Sequence, residues 1–292
     1  MPTDTDIRRL RRFNRSVTSA LGAMDQSFLG RGRPLGVARV IQAIGQGMTE
    51  VRELRAYLGL DSGFMSRNLR TLEEDGLIST EASPEDARQR QVHLTEAGQA
   101  EFQAYESLSD QHALEILGRS RHREDLLAAL DLISATFNQA KPHIHAVDPS
   151  HADVAYAMRE YTQELSRRFG RTFAVTEMSE AERQDFLPPK GVFLLASLDG
   201  VAVGCGALRP LGDKIGEVKR VWINPAWRGR GLSRQLMQAL ETEARGLGFD
   251  RLRLDTSRHL GEAVALYHAL GYREIDRYND NPDADHFFEK LL

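Results

Sequence analysis

The chain has 292 residues, enough for two ordinary domains, and its 41% hydrophobic and 27% charged residues are typical of a soluble globular protein. A net charge of −4 excludes wholesale electrostatic attraction to nucleic acid or membrane and leaves only local basic surfaces for either role. The single cysteine, Cys205, rules out an intramolecular disulfide; with no secretory leader and no apolar run near the membrane-spanning length, the cytoplasm is the expected compartment, with no membrane partner.

From Asp6 to about Ala140 the apolar residues recur at helical spacing, as in Phe13, Val17, Leu21, Met24 and Phe28, and again in Leu126, Leu130, Ile133 and Phe137. Inside this region "TEVRELRAYLGLDSGFMSRNLRTLEEDGLI" reads as two helices about a tight turn. Thr49 is the expected cap of the first, and Asp61 or Ser62 of the second. Met65, Leu69 and Leu72 form the buried stripe of the second helix. Its other side carries Ser62, Ser66, Arg67 and Arg70, donors that a recognition helix offers to base edges and phosphates. Ordinary solvated surface charges would look the same. Two short strands follow, "LIST" and "QVHL". They flank a polar loop with Arg88 and Arg90, a hairpin tip suited to the minor groove.

Residues 34 to 100 resemble the MarR family of winged-helix regulators, whose wing signature stands here as Asp86, Arg88, Leu94, Thr95 and Gly98. The resemblance implies that Asp86 orients the wing and Arg88 reaches double-stranded DNA. It also implies a homodimer built from the first helix and the two helices after the wing, roughly residues 7 to 29, 96 to 117 and 122 to 140. The departure is charge: acidic residues slightly outnumber basic ones over residues 1 to 145, unlike a dedicated DNA binder.

The stretch "KPHIHAVDPSH", bracketed by Pro142 and Pro149, breaks the helical pattern and places a domain boundary near residues 141 to 149. The expected domains are therefore 1–142 and 143–292. His143 and His145 have a metal-like spacing but no third or fourth ligand in view, so no metal is expected. A helix is expected after Ser150, a plausible cap. "GVFLLASLDGVAVGCGALRPL" then reads as two strands joined at Asp199-Gly200, with Cys205 a buried small hydrophobe. "GEVKRVWINP" is a third strand and "RLRLDTS" a later one. The tail reads as two strands around a loop holding Asp280, Asp283 and Asp285, which either attract a cationic amine or form a solvated turn.

Between the third strand and the helix that begins near Leu232 lies a turn containing Arg228, Gly229, Arg230 and Gly231. Unpaired N–H groups at a helix start make an anion site. Glycines let a diphosphate approach the backbone, and arginines add positive charge. No Lys-Ser/Thr follows, so this is not a Walker loop, and the dinucleotide fingerprint is incomplete.

This turn, with "EAVALYHALGY" further on, resembles the GNAT superfamily of acetyl-CoA-dependent N-acetyltransferases; Ser233 stands where the motif ends in Gly or Ala. The resemblance implies an α/β fold with a mixed, mostly antiparallel sheet, and acetyl-CoA as cosubstrate. The diphosphate would lie on Arg228, Gly229, Arg230, Gly231, Leu232, Ser233 and Arg234, and the pantetheine arm along Val221, Trp222 and Ile223. It further implies a primary amine as acceptor, with Glu217 as general base and Tyr267 as general acid. Read without the resemblance, Glu217 is a solvated strand-end charge and Tyr267 a packing aromatic. The expected function is a MarR-type regulator fused to an acetyltransferase. The alternatives are an acetyl-CoA-sensing regulator without catalysis and an enzyme whose winged helix serves only for dimerisation.

Overall fold

A computed structural model describes residues 1–82, 90–138, 140–174, 178–212 and 214–292. The chain divides into two compact units, Met1–Leu126 and Leu127–Leu292. The division falls within a helix ahead of the stretch at residues 141 to 149.

The first unit contains α1 (Asp4–Ala20), α2 (Leu35–Gly45), α3 (Val51–Leu58), α4 (Ser62–Glu74), the antiparallel strands β1 (Ile78–Ala82) and β2 (Arg90–Leu94), and α5 (Glu96–Gly118). Thr3 opens α1 with a capping box to Asp6. The helix-turn-helix is set by local chemistry. Gly59, at φ +64°, ends α3, and the Asp61 side chain accepts the Phe64 N–H at 2.9 Å to start α4. Thr49 does not cap α3. The cap position falls to Glu50, which makes no side-chain bond there, while the Thr49 carbonyl accepts the Val92 N–H at 2.8 Å and Glu50 bridges Gln91. The segment is thereby committed to the small sheet. Ile41, Leu54, Met65, Leu72 and Val92 form the core. The wing tip, with Asp86 and Arg88, lies outside the described residues.

The second unit takes in most of α6 (Arg123–Phe137), then β3 (His143–Val147), α7 (Ala152–Phe169), α8 (Glu180–Asp185), β4 (Val192–Leu198), β5 (Val201–Gly212), β6 (Ile215–Ile223), α9 (Leu232–Gly246), β7 (Arg251–Thr256), α10 (Gly261–Ala269), β8 (Arg273–Glu274) and β9 (His286–Leu291). The seven-stranded sheet has the order β3-β4-β5-β6-β7-β9-β8 and is antiparallel except between β6 and β7. The stretch at 141 to 149 that breaks the helical pattern contains the first strand of this sheet. The α7 cap is His151, whose Nδ1 accepts the Asp153 N–H at 3.2 Å; the Ser150 hydroxyl donates instead to Asp148 at 2.6 Å.

Alternation along β4 shows how the layers form. Val192, Leu194 and Ala196 enter one core with Leu236, Met237 and Leu240 of α9, while Phe193 and Leu195 enter the other with Val154 and Ala157 of α7. Asp199 and Gly200, both at positive φ (+48° and +77°), make the expected tight hairpin. Ala135 of α6 is fully buried in the α9-side core, so this helix is not wholly the dimerisation element expected of residues 122 to 140.

In the first unit, the Thr95 hydroxyl accepts the Gly98 N–H at 3.1 Å and donates to the Gly76 carbonyl at 2.6 Å, locking the start of α5 to the end of α4. A β-carbon on Gly98 would lie 1.9 Å from the Leu77 carbonyl oxygen. Backbone cannot yield cheaply, so Gly98→Ala should destabilise this unit by about 1–3 kcal/mol. Urea denaturation followed by circular dichroism measures it; an unchanged midpoint would show that α5 shifts freely.

Candidate active site

β6 and β7 pair at only three positions, Ile215↔Arg251, Gly216↔Leu252 and Glu217↔Arg253, and then part. Just beyond, β6 bulges: it sets Arg220 and Val221 opposite the single Gly206 of β5, with Arg220 at φ +58°. The parting strands open a notch with two adjoining cavities of about 320 and 230 Å³. Tyr161, Leu165, Val221, Leu260, Ala263 and Tyr267 line both and form the passage between them.

The larger cavity runs from Val221, Trp222 and Ile223 to Arg228, Gly229 and Ser233, six of the residues expected to hold a cofactor. Gly229 and Gly231 have φ of +73° and +81°, a conformation that L side chains rarely adopt. Gly231 is the cap residue of α9 and offers no side-chain bond, so the first-turn N–H groups of α9 have no side-chain cap. The other expected contacts do not reach this cavity. Leu232 is buried in the core, Arg234 is exposed, and the Arg230 guanidinium lies 5.5 Å from the Trp227 ring centre.

Arg228 is not a free cation. Its Nε donates to the Ile223 carbonyl and its Nη2 to Glu164, both at 3.1 Å. Glu164 also accepts from Arg167 and Arg168, and Arg168 reaches Glu262 on α10 at 2.8 Å. Burial raises the Glu164 pKa, but hydrogen bonds from Arg168 and Arg228 bring it below the usual carboxylate value. The cluster ties α7 and α10 to the turn.

The smaller cavity is lined by Lys219, Arg220, Asp255, Asn281 and Asp283 against the rings of Phe169 and Phe173. Lys219 Nζ lies 3.1 Å from Glu217 and also pairs with Asp255. Glu217 itself lines neither cavity. At 1% exposure it is no solvated strand end, and its carboxylate is enclosed by Arg209 at 2.7 Å, Lys219, the Tyr278 hydroxyl at 3.0 Å and Asn279 at 3.3 Å. Glu217 is joined to the lining of the smaller cavity through Lys219 and does not itself line it. The structure therefore does not bring Glu217 and Tyr267 into one cavity. Asp283 and Asp285 are already paired with Arg171 and Arg258.

Tyr267 faces both cavities, and burial raises its phenol pKa, keeping it protonated at neutral pH. Burial also pushes the Tyr161 phenol up to about 12. Tyr161, Glu164, Leu165 and Arg168 share one face of α7 at three- and four-residue spacing, a signal present in the sequence but passed over. The Lys219–Asp255 pair spans two strands and has no such signal.

Residues 158–272 match the Acetyltransferase (GNAT) family, and residues 32–89 the MarR family. The chain is 32% identical over 139 residues to the IAA acetyltransferase of Azospirillum brasilense, covering 47% of this chain and 91% of that protein. The chain belongs to the GNAT acetyltransferase family. It joins that fold to a MarR-family segment. The uncharacterised N-acetyltransferase YjgM of Escherichia coli (strain K12) is 31% identical over 127 residues, 42% of this chain and 76% of that one. A crystal structure from Klebsiella pneumoniae, named for acyl-CoA N-acyltransfer, is 31% identical and covers 52% of this chain and 97% of its own, with a TM-score of 0.43.

In the MarR segment Ser62, Ser66, Arg67 and Arg70 are all exposed on α4, and Arg90 is exposed at the base of the wing. Ser62, Ser66 and Arg90 also line a hollow of about 340 Å³ with Arg52 and Arg55 of α3, two cations the sequence reading did not single out. No helix among the described residues is long and apolar enough to cross a membrane, and no group of three or more metal-ligating side chains was found among them.

Cys205 donates its thiol to the Arg220 carbonyl at 3.2 Å, and burial pushes its pKa up to about 12. Only the thiolate is nucleophilic. Alkylation by iodoacetamide at pH 8 should therefore be at least about tenfold slower in the folded chain than in urea. Equal rates would mean the bulge opens readily.

Proposed function

We propose that the protein transfers acetyl from acetyl-CoA to a primary amine, through residues 143–292, and that residues 1–142 form a dimeric, DNA-binding regulator in the cytoplasm. The observation that carries the first part is the notch, two cavities meeting at Tyr161, Val221 and Tyr267 beside a helix start without a side-chain cap. The diphosphate would accept N–H groups from the turn between Gly229 and Ser233, where the α9 dipole favours negative charge. Arg230 would swing from Trp227 to join it. The pantetheine arm would lie in the larger cavity along Val221 to Ile223, and the amine would enter the smaller one.

The amine must lose a proton before it attacks the thioester carbon. Two carboxylates line that cavity: Asp283, paired with Arg171, and Asp255, which takes the proton, with Glu217 behind it joined through Lys219. As the carbon–sulfur bond breaks, the Tyr267 hydroxyl donates its proton to the departing thiolate. Tyr267→Phe should lower kcat at least about 100-fold and leave acetyl-CoA affinity unchanged. The measurement is thioester consumption over a panel of amines, beside calorimetric binding. Lost affinity with kcat intact would make Tyr267 a packing residue, and no turnover with any amine would favour an acetyl-CoA sensor.

For the first unit, the exposed donor face of α4 supports DNA binding. The homodimer is supported by apolar surface that the chain alone leaves uncovered: α1 buries none of its residues, and Ile7, Leu10, Leu21, Met24 and Leu114 are exposed. Each phosphate-contacting arginine contributes about one unit to the salt dependence of binding, so Arg67→Ala and Arg70→Ala should each reduce the slope by about that much. Fluorescence anisotropy against the upstream DNA checks this. Unchanged affinity and slope in both variants would remove α4 as the reading helix.

A further inference from the structure

Asn224 stands where β6 gives way to the glycine turn. It is 6% exposed. Its N–H donates to the Val203 carbonyl at 2.9 Å, its carbonyl accepts the Trp227 N–H at 2.8 Å, and its Oδ1 accepts the Ala226 N–H at 3.0 Å. These bonds wind Pro225–Trp227 into a single 3₁₀ turn, from which the chain runs directly into Arg228. The Asn224 Nδ2 donates to Asp131 of α6 at 2.9 Å. Asp131 is anchored in the second unit, because Ala135, one helical turn on, is fully buried in the core that also holds Trp227 and Leu232.

The chemistry of the pair is directional. An ionised carboxylate only accepts, so Asp131 draws the amide NH₂ toward itself and leaves the amide oxygen for Ala226. Were the amide to turn over, two oxygens would face each other and the Ala226 N–H would face a donor. One hydrogen bond thereby fixes the orientation of the side chain that caps the turn.

We propose that Asp131 is a positioning residue for the diphosphate-binding turn, acting through Asn224, so that the working acetyltransferase begins in α6, ahead of the residues that match the family. The proposal rests on acetyl-CoA binding at that turn. With Asp131 removed, Asn224 loses its orientation, the 3₁₀ turn loosens, and the N–H groups from Gly229 onward are no longer preset for an anion. The reacting groups Tyr267 and Asp255 lie on other elements and are untouched, so the loss falls on cofactor affinity and not on the chemical step.

The test is calorimetric titration of acetyl-CoA and steady-state kinetics on the full chain, for wild type, Asp131→Leu, Asn224→Asp, and the exchange Asp131→Asn with Asn224→Asp. In the exchanged pair the new amide donates to the new carboxylate, whose other oxygen still accepts from Ala226. Each single variant should raise the acetyl-CoA Kd and KM about tenfold, the size expected for a partly buried charged hydrogen bond, with kcat at saturation within about twofold. The exchange should restore Kd to within about threefold of wild type. Asp131→Leu binding like wild type, or an exchanged pair no better than the singles, overturns the proposal. Should Asp131→Leu fail to fold, Asn224→Asp, which sets two carboxylates together with almost no change of volume, carries the same comparison. A wild-type chain that binds no acetyl-CoA overturns the underlying reading instead, and shows itself before any variant is compared.

Discussion

The site depends on the departure of β6 from β7 after Glu217, and that departure depends on one extra residue. At the bulge Arg220 occupies the left-handed region, a conformation costing about 1–3 kcal/mol for a residue with a side chain. Its surroundings hold it there. The Arg220 guanidinium reaches Glu182 at 3.2 Å, lies 3.7 Å from the Met158 sulfur and sits 5.6 Å from the Phe186 ring centre, while its carbonyl accepts the Cys205 thiol. A bulge bends the strand that carries it and increases its twist. Here the bend turns the edge of β6 away from its parallel neighbour, and α7, α8 and β5 act together as a mould for that turn.

Where the strands part, charge is buried. Glu217 is enclosed by Arg209, Lys219, Tyr278 and Asn279, and Lys219 continues to Asp255, which also accepts from Asn281. Burial, and then the neighbouring Glu217, raise the Tyr278 pKa and keep its hydroxyl a donor. Such clusters add little net stability against an apolar replacement, yet removing one member costs about 3–5 kcal/mol because its partner is left buried and charged. Their effect is to allow a single arrangement. The neck of the notch is held rigid at the point where it opens.

Much of this was legible in the sequence because the signals were local. Gly229, Gly231 and Gly200 each sit at a positive φ, which glycine adopts without the steric cost of a side chain. Asp61, two residues after the glycine that ends α3, announced the second helix of the pair. In the wing signature, Thr95 and Gly98 proved to carry a capping bond and a close backbone approach. The failures share a cause. Read without the resemblance, Glu217 is a strand-end charge, because Tyr278, Asn279 and Arg209 come to it from β5 and the tail, and nothing in its own neighbourhood of the chain foretells them. Thr49 and Ser150 had the right chemistry for caps but were claimed by the wing sheet and by Asp148. α6 carries one buried alanine in an otherwise ordinary helical pattern, and that pattern does not say which core receives it.

The two cavities share α7 and β6 but differ in what closes them. The larger is completed by the glycine turn and α10, and the smaller by the end of β7, Phe173, Asn281 and Asp283. Substitutions in the segments around Phe173 and Asn281 can recast the smaller cavity without disturbing Arg228, Gly229 or Ser233. A laboratory library meant to reshape the smaller cavity alone would begin at those two segments, because the half that meets the turn stays fixed.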